Sequence, residues 1–295
     1  MADISGLLAA LITPFDAGSE AVDEAGLRRL VQDHITEGIH GLVPCGSTGE
    51  FAAMTAGERR RVTEIVIDQA AGRVPVVAHV GAMTTAEAVA HARHAEQAGA
   101  AGLMAVAPYY EPLSVPETKA YFRSIADAVG IPIVIYNLPV ATGVDLPIED
   151  LLDLARRAPN ITHVKDTTGN LSRAARLIHD HSDEIKTFVG WDTLYFASLV
   201  EGAPGSILGA TNILTPQLVA IWDAVSDGRV PDARAIWDDI FPVMQFLVGA
   251  GGYVQAVRGG LDIIGRPAGP PRAPMQALSG GLRSELEQLI SKLGR

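Results

Sequence analysis

The sequence predicts an α/β protein, a parallel (β/α)8 TIM barrel with a C-terminal helical extension, and two observations support this prediction. Short apolar runs alternate eight times with segments that show helical periodicity or helix-capping residues. The runs are apolar throughout instead of alternating with polar residues, which is typical of parallel strands buried on both faces. Eight such units in residues 1–225 agree with the usual size of this barrel.

Each unit is justified by its own residues. The predicted strands are residues 6–12, 39–44, 74–80, 102–107, 132–136, 161–164, 186–189 and 205–209. The predicted helices span about residues 23–37, 55–71, 85–98, 116–129, 147–157 and 170–179, then a segment that ends at 200, and 216–225. Asp23 is a candidate N-cap, and Thr55 with Glu58 has the pattern of a capping box.

Residues 226–295 do not continue the repeat. Residues 232–247 and 284–293 are predicted helices, and a Gly/Pro-rich passage, residues 249–274, lies between them. No hydrophilic linker precedes this segment, so we expect it to pack on the same unit as the barrel. A doubly wound open sheet is the alternative, but no Gly-x-Gly-x-x-Gly turn follows any predicted strand.

Composition limits the partners and the compartment. The net charge of −11, without a Lys/Arg cluster, argues against a nucleic-acid partner. No apolar stretch approaches the roughly 18 residues that a membrane span needs, and the first five residues carry an acid but no base. A single cysteine, Cys45, fits a reducing compartment, so we expect a cytoplasmic protein.

The chemistry of such a barrel lies where the strands end and the following loops begin. That rule selects Ser47, Thr48, Tyr109, Tyr110, Tyr136, Lys165, Asp192 and the region around Gly209. Together these positions offer one amine, two hydroxyls, several phenols and backbone amides. Those groups suit imine chemistry on an α-keto acid. The histidines have no third ligand at zinc spacing, so no metal site is expected.

Lys165 ends the sixth predicted strand and is followed at once by a polar turn. Burial there favours the neutral amine, which can form a Schiff base with a carbonyl substrate. By residue type alone, an exposed lysine at a strand end is much more common than a catalytic one. Its place among the other loop-end residues favours the catalytic interpretation.

Two further groups have functional and structural interpretations. Ser47 and Thr48 lie between Gly46 and Gly49, where backbone N–H groups and hydroxyls can hold a carboxylate. A turn with an N-cap is the structural alternative. Tyr136 ends the fifth strand and can move protons to and from a carbinolamine if it reaches the lysine; a packed aromatic is its alternative.

Four motifs occur together in register: Gly46-Ser47-Thr48-Gly49-Glu50, Pro108-Tyr109-Tyr110, Tyr136-Asn137-Leu138-Pro139 and Val164-Lys165-Asp166. With them the chain resembles the dihydrodipicolinate synthase / N-acetylneuraminate lyase family of class I Schiff-base pyruvate aldolases. The resemblance covers about residues 7–274.

The resemblance implies roles for individual residues. Lys165 would form the imine with pyruvate or with the keto group of the substrate, and Tyr136 would relay protons. Ser47 and Thr48 would hold the carboxylate. Tyr110 matches a tyrosine that many members contribute to the neighbouring subunit, which implies a tight dimer within a homotetramer. The family uses no metal and no organic cofactor.

Departures from the family pattern bear on the substrate. Synthases of the family carry a carboxylate-binding arginine at the position of Ala141, and a methyl group cannot replace a guanidinium. Sialic acid lyases carry an acid pair where this chain has Asp192 and Thr193. The remaining resemblance is to aldolases of the 2-keto-3-deoxygluconate type, with Asp192, Thr167 and Thr168 as hydroxyl-binding candidates and Gly209 beside them.

Three other functions remain open at this point. The chain could be a true dihydrodipicolinate synthase with a displaced arginine, or a Schiff-base enzyme that ends in dehydration. From a different class, it could be a non-catalytic sensor of keto acids. A sensor would need neither the lysine nor the tyrosine, which favours the enzyme.

Overall fold

The computed structural model describes residues 4–293. Residues 1–3 of the predicted barrel segment, 1–225, and residues 294–295 of the predicted extension, 226–295, lie outside the described part. The strands are β1 (Gly6–Ala10), β2 (Gly41–Val43), β3 (Val77–His79), β4 (Gly102–Val106), β5 (Ile133–Asn137), β6 (Ile161–Asp166), β7 (Lys186–Val189) and β8 (Gly205–Leu208). The helices are α1 (Glu24–Thr36), α2 (Ala56–Ala70), α3 (Thr85–Gln97), α4 (Val115–Ala126), α5 (Pro139–Thr142), α6 (Ile148–Arg157), α7 (Leu171–Asp180), α8 (Tyr195–Val200), α9 (Thr211–Ser226), α10 (Val230–Gly249), α11 (Tyr253–Ile263) and α12 (Gly280–Ile290).

The eight strands form one parallel sheet in the order β2-β1-β8-β7-β6-β5-β4-β3. Its two edge strands meet, because the Leu42 N–H donates to Pro75 O at 3.0 Å and the His79 N–H donates to Pro44 O at 3.2 Å. The sheet is therefore a nearly closed barrel with helices around it. The predicted (β/α)8 fold class is confirmed.

Alternate residues of the strands join two different parts of the core. In β5, Ile133 and Ile135 belong to the cluster that contains helix side chains such as Phe122, whereas Val134 and Tyr136 belong to the cluster that contains Phe188 of β7. Both faces of the strand are buried, which explains why its residues are apolar on both faces.

The predicted capping box at the start of α2 is present. The Glu58 N–H donates to Thr55 Oγ1 at 3.2 Å.

The C-terminal extension packs directly on the barrel helices. Trp237 of α10 stacks on Phe196 of α8 with ring centroids 6.1 Å apart, and Leu247 and Val257 join the same core cluster as the strands. The boundary between the barrel and the C-terminal extension at residue 225 remains a prediction. No helix within residues 4–293 is long and apolar enough to cross a membrane.

The Gly/Pro-rich passage 249–274, to which the sequence assigned no helix, contains a regular helix, α11. Its Gly260 lies where a side chain would collide with Ile213 of α9. This glycine therefore allows the close approach of two helices and does not mark a turn. The eighth helix also begins earlier than predicted, at Thr211, with a non-helical residue at Leu214 before Pro216.

A buried ion pair joins the extension to the loop after β2. The Arg258 Nε of α11 donates to Glu50 Oε1 at 2.7 Å, and neither side chain is more than 4% exposed. Arg258 also donates to the carbonyl oxygen of Thr13 at 2.7 Å. Glu50 has a left-handed backbone, φ 58°, which an ordinary residue adopts only when its surroundings hold it. The ion pair is one such restraint.

We expect Arg258→Met to lower the free energy of unfolding by about 3–5 kcal/mol, because it leaves the Glu50 carboxylate charged and buried. The control is Arg234→Met, which removes an exposed helical pair with Asp238 and should change the same quantity by about 0.5 kcal/mol or less. Urea unfolding measures both. Equal effects of the two substitutions would contradict a structural role for the buried pair.

Candidate active site

A cavity of about 280 Å³ opens at the carboxyl ends of the strands. It contains most of the site residues predicted from the sequence, whereas Tyr109, Tyr110 and Thr168 are not in its lining. The cavity is lined by Ser47, Thr48, Tyr136, Leu138, Val140, Lys165, Thr167, Gly190, Trp191, Asp192, Ile207, Gly209, Val248, Tyr253 and Val254. The lining is mainly apolar, with the polar side chains distributed among the ends of four strands and one helix of the extension.

Lys165 and Tyr136 are neighbours because of the strand register. They are directly paired across β5 and β6, and both side chains are 5% exposed. The Lys165 amine lies 4.1 Å from the centroid of the Tyr136 ring. No carboxylate among the described residues forms an ion pair with this amine. A buried amine beside a phenol, without a bonded counter-charge, is suited to attack a carbonyl.

The turn after Lys165 is fixed by its own residues. The buried Asp166 carboxylate accepts the Thr168 N–H and the Arg173 Nε–H, each at 2.9 Å. The Thr168 hydroxyl accepts the Asn170 N–H, so this side chain serves the turn and does not line the cavity. The Thr167 hydroxyl is buried in the lining without a partner among the described residues, so it is free to bind a ligand.

Gly190 makes room for the lysine. A Cβ at this position would lie 2.5 Å from Lys165 Cε and 2.5 Å from Thr167 Oγ1. Real Cβ atoms do not approach other atoms so closely. The Lys165 side chain can therefore pass next to residue 190 only because that residue is a glycine. The Gly190 N–H donates to Asp166 O at 2.8 Å, which holds the backbone against β6.

Ser47 and Thr48 lie on the loop that Glu50 and Arg258 restrain. The N-cap alternative is not realised, because Thr55 caps α2 and a 3-10 turn, Phe51–Ala53, comes before it. The loop is also held by Thr13, whose hydroxyl donates to Gly49 O at 2.8 Å. Ser47 and Thr48 are therefore placed in the cavity wall, with Thr48 buried.

Asp192 is buried at the end of β7, and Tyr253 at the start of α11 is its neighbour. The Asp192 carboxylate accepts the Ala210 N–H at 3.3 Å. Burial raises the pKa of Asp192, while the Tyr253 hydroxyl and the Lys165 charge oppose that change. Tyr253 was not predicted from the sequence, because it lies in the Gly/Pro-rich passage after the barrel and not at the end of a strand. No local motif marks it; only the packing of α11 brings it here.

A second cavity of about 470 Å³ adjoins the first and shares Ser47, Leu138 and Val254 with it. Tyr109 and Ala141 line this second cavity, and Tyr109 packs edge-on against Phe51 with centroids 5.7 Å apart. Tyr110 lines neither cavity and is 82% exposed. Its predicted role therefore depends on a neighbouring subunit. Within residues 4–293, no group of three His, Cys, Asp or Glu side chains is arranged to hold a metal ion.

Comparison with known proteins gives a match over nearly the whole chain. A model of the Dihydrodipicolinate synthetase family matches residues 3–293. The chain belongs to this family. A 4-hydroxy-tetrahydrodipicolinate synthase from Methanopyrus kandleri is 33% identical over 291 residues, 99% of this chain and 97% of the relative. One from Nitrobacter hamburgensis is 38% identical over 270 residues, 92% of this chain and 90% of the relative.

A solved structure agrees in fold. YagE from Escherichia coli K12, a prophage protein of the dihydrodipicolinic acid synthase family solved in complex with pyruvate, has a TM-score of 0.94 and 28% identity over 99% of both chains. The resemblance predicted from the sequence motifs is confirmed. The chain is thus an enzyme of the Schiff-base pyruvate aldolase class, a carbon–carbon lyase.

We expect Gly190→Ala to slow imine formation with pyruvate by about a hundredfold, because a displacement of the amine by about 1 Å is enough to cost that much. Exchange of the pyruvate methyl protons in deuterated water, followed by NMR, measures imine and enamine formation without an aldehyde. Gly57→Ala is the control, since its added Cβ would meet nothing closer than 4.0 Å. Undiminished exchange in Gly190→Ala would contradict this account of the lysine's position.

Proposed function

We propose that the protein cleaves, or forms by condensation, a 4-hydroxy-2-oxo acid of the 2-keto-3-deoxy sugar acid type through an imine on Lys165. The Lys165 amine, 4.1 Å from the Tyr136 ring centroid in a cavity that also contains Ser47 and Thr48, is the observation that supports it most. The pyruvate complex of YagE supports the choice of keto acid. No organic cofactor or metal is required by this chemistry.

The cleavage is a sequence of balanced steps. The Lys165 amine adds to the C2 carbonyl of the substrate, and loss of water gives an iminium ion. Tyr136 gives its proton to the hydroxyl that leaves the carbinolamine as water and becomes a phenolate. The phenolate then accepts the proton of the C4 hydroxyl, the C3–C4 bond breaks, and the electron pair of that bond moves to the imine nitrogen. An aldehyde and a lysine-bound enamine result. Protonation at C3 and hydrolysis then release pyruvate and restore the amine.

The carboxylate end of pyruvate is assigned to Ser47 and Thr48. Their loop brings two hydroxyls into the cavity wall, and its glycines allow a ligand to approach the backbone. The opposite part of the cavity is assigned to the aldehyde half, with Thr167, Asp192 and Gly209 as its binding positions. These assignments follow from the lining and from the motif match.

The aldehyde half is proposed to be uncharged. A carboxylate on that half would need a cation, as the guanidinium supplies in synthases of the family. Ala141 stands at that position, and apart from Lys165 neither cavity is lined by a lysine or arginine among the described residues. A neutral hydroxy aldehyde suits this lining better than aspartate semialdehyde.

A second candidate is 4-hydroxy-tetrahydrodipicolinate synthase, and the names of the similar proteins favour it. It shares the imine and differs in the acceptor, aspartate semialdehyde. Dehydration of the same imine is a further branch, which would release water instead of an aldehyde. All three use Lys165, so the acceptor and the product distinguish them.

Tyr110 supports a proposal about assembly. Its side chain is 82% exposed and follows Tyr109 on a proline-flanked loop beside the second cavity. We propose that it enters the active site of a second copy and that the protein is a dimer or tetramer. We also place the protein in the cytoplasm, on the basis of its single buried cysteine.

The deciding experiment is a panel of aldehydes tested with pyruvate on the purified enzyme. We expect condensation with neutral hydroxy aldehydes to exceed that with aspartate semialdehyde by at least about tenfold in kcat/KM, because the second carboxylate finds no guanidinium. Lys165→Ala should abolish all turnover, and Lys292→Ala, at the end of the extension, should not. A clear preference for aspartate semialdehyde would establish the second candidate instead.

A further inference from the structure

Tyr253 reaches the active site from outside the barrel. It is the first residue of α11, and its ring extends into the cavity past Gly209 at the end of β8. A Cβ on Gly209 would lie 2.5 Å from the Tyr253 hydroxyl oxygen and 3.0 Å from Thr48 Oγ1. The absence of a side chain at Gly209 is therefore what admits the phenol to the cavity.

The Tyr253 hydroxyl is buried but has no hydrogen bond of good geometry among the described residues. It lies close enough to the Asp192 carboxylate to lower the pKa of that acid, without the alignment of a full bond. Burial and the Asp192 charge raise the pKa of Tyr253 well above its usual value, so the phenol keeps its proton. A buried donor without a bonded partner is costly unless a ligand or water satisfies it.

The two groups together are complementary to a hydroxyl. The phenol can donate one hydrogen bond, and the carboxylate can accept one from the same ligand atom. A carboxylate in this place would meet the negative charge of Asp192, and within residues 4–293 no arginine lines the cavity to offset it. The surroundings are apolar, with Trp191, Ile207 and Val248 in the lining. The place therefore suits one neutral hydroxyl on an otherwise uncharged ligand.

The site is also separate from the residues that handle the C4 hydroxyl. Tyr136 lies near the end of β5, next to Lys165. Asp192 follows β7 and Gly209 follows β8, on the other side of the strand that carries Lys165. A group bound by Tyr253 and Asp192 thus belongs to a different substrate atom.

We propose that Tyr253 is a specificity residue which, with Asp192, binds a hydroxyl on the carbon next to the aldehyde group. Such a hydroxyl becomes the C5 hydroxyl of the 4-hydroxy-2-oxo acid. This inference rests on the proposed function and narrows its substrate class to 2-hydroxy aldehydes without a second charge.

The test compares two acceptors that differ by this hydroxyl alone, lactaldehyde and propanal, each with pyruvate. The wild-type enzyme should prefer lactaldehyde in kcat/KM by about tenfold to a hundredfold. Tyr253→Phe keeps the ring and should reduce that preference to about threefold or less. The same variant should exchange the pyruvate methyl protons at a rate within about twofold of wild type.

Tyr121→Phe is the control for loss of a buried hydroxyl elsewhere, since the hydroxyl of Tyr121, on α4, bonds to the backbone of Ala82 in the loop between β3 and α3. It should leave the acceptor preference unchanged. An unaltered preference in Tyr253→Phe overturns the inference. Equal loss of methyl exchange in that variant also overturns it, because Tyr253 would then serve the pyruvate half. Failure of wild-type methyl exchange overturns the proposed function itself.

Discussion

The parallel register between β5 and β6 brings together the two residues to which we assign the chemistry. It pairs Tyr136 with Lys165 along the hydrogen-bonded ladder, and the barrel turns both side chains into the same cavity. A shift of one residue in either strand would place one of the two side chains on the opposite face of the sheet, against the helices. The remaining active-site groups are arranged around this pair. Gly190 allows the lysine to pass, and Ser47 and Thr48 complete the wall.

The C-terminal extension completes the site and also stabilises it. One helix, α11, supplies Tyr253 to the cavity and, five residues later, Arg258 to the buried pair with Glu50. The pair anchors the loop that carries Ser47 and Thr48, so the extension acts on both ends of the pocket. The stability of the extension and the geometry of the site are therefore coupled. This coupling explains why the segment follows the barrel without a hydrophilic linker.

Much of this arrangement could be predicted from the sequence, because it depends on local patterns. Apolar runs and helix caps predicted the eight units, and the rule that loops at strand ends carry the chemistry selected Lys165, Tyr136 and Asp192. Tyr253 and Arg258 could not be found in this way. Tyr253 meets Gly209, and Arg258 meets Glu50 and Thr13, which lie 208 and 245 positions earlier in the chain. Their helix also contains glycines that resemble turn signals. Close helix packing gives those glycines a different meaning, visible only in three dimensions.

We propose that the Lys165 amine forms the covalent bond with the keto acid. Borohydride reduction in the presence of pyruvate, followed by mass spectrometry of peptides, traps and locates this bond. We expect the reduced pyruvate adduct on the peptide that contains Lys165 and nowhere else. An unmodified Lys165 peptide, or an adduct at another lysine such as Lys186, would contradict it.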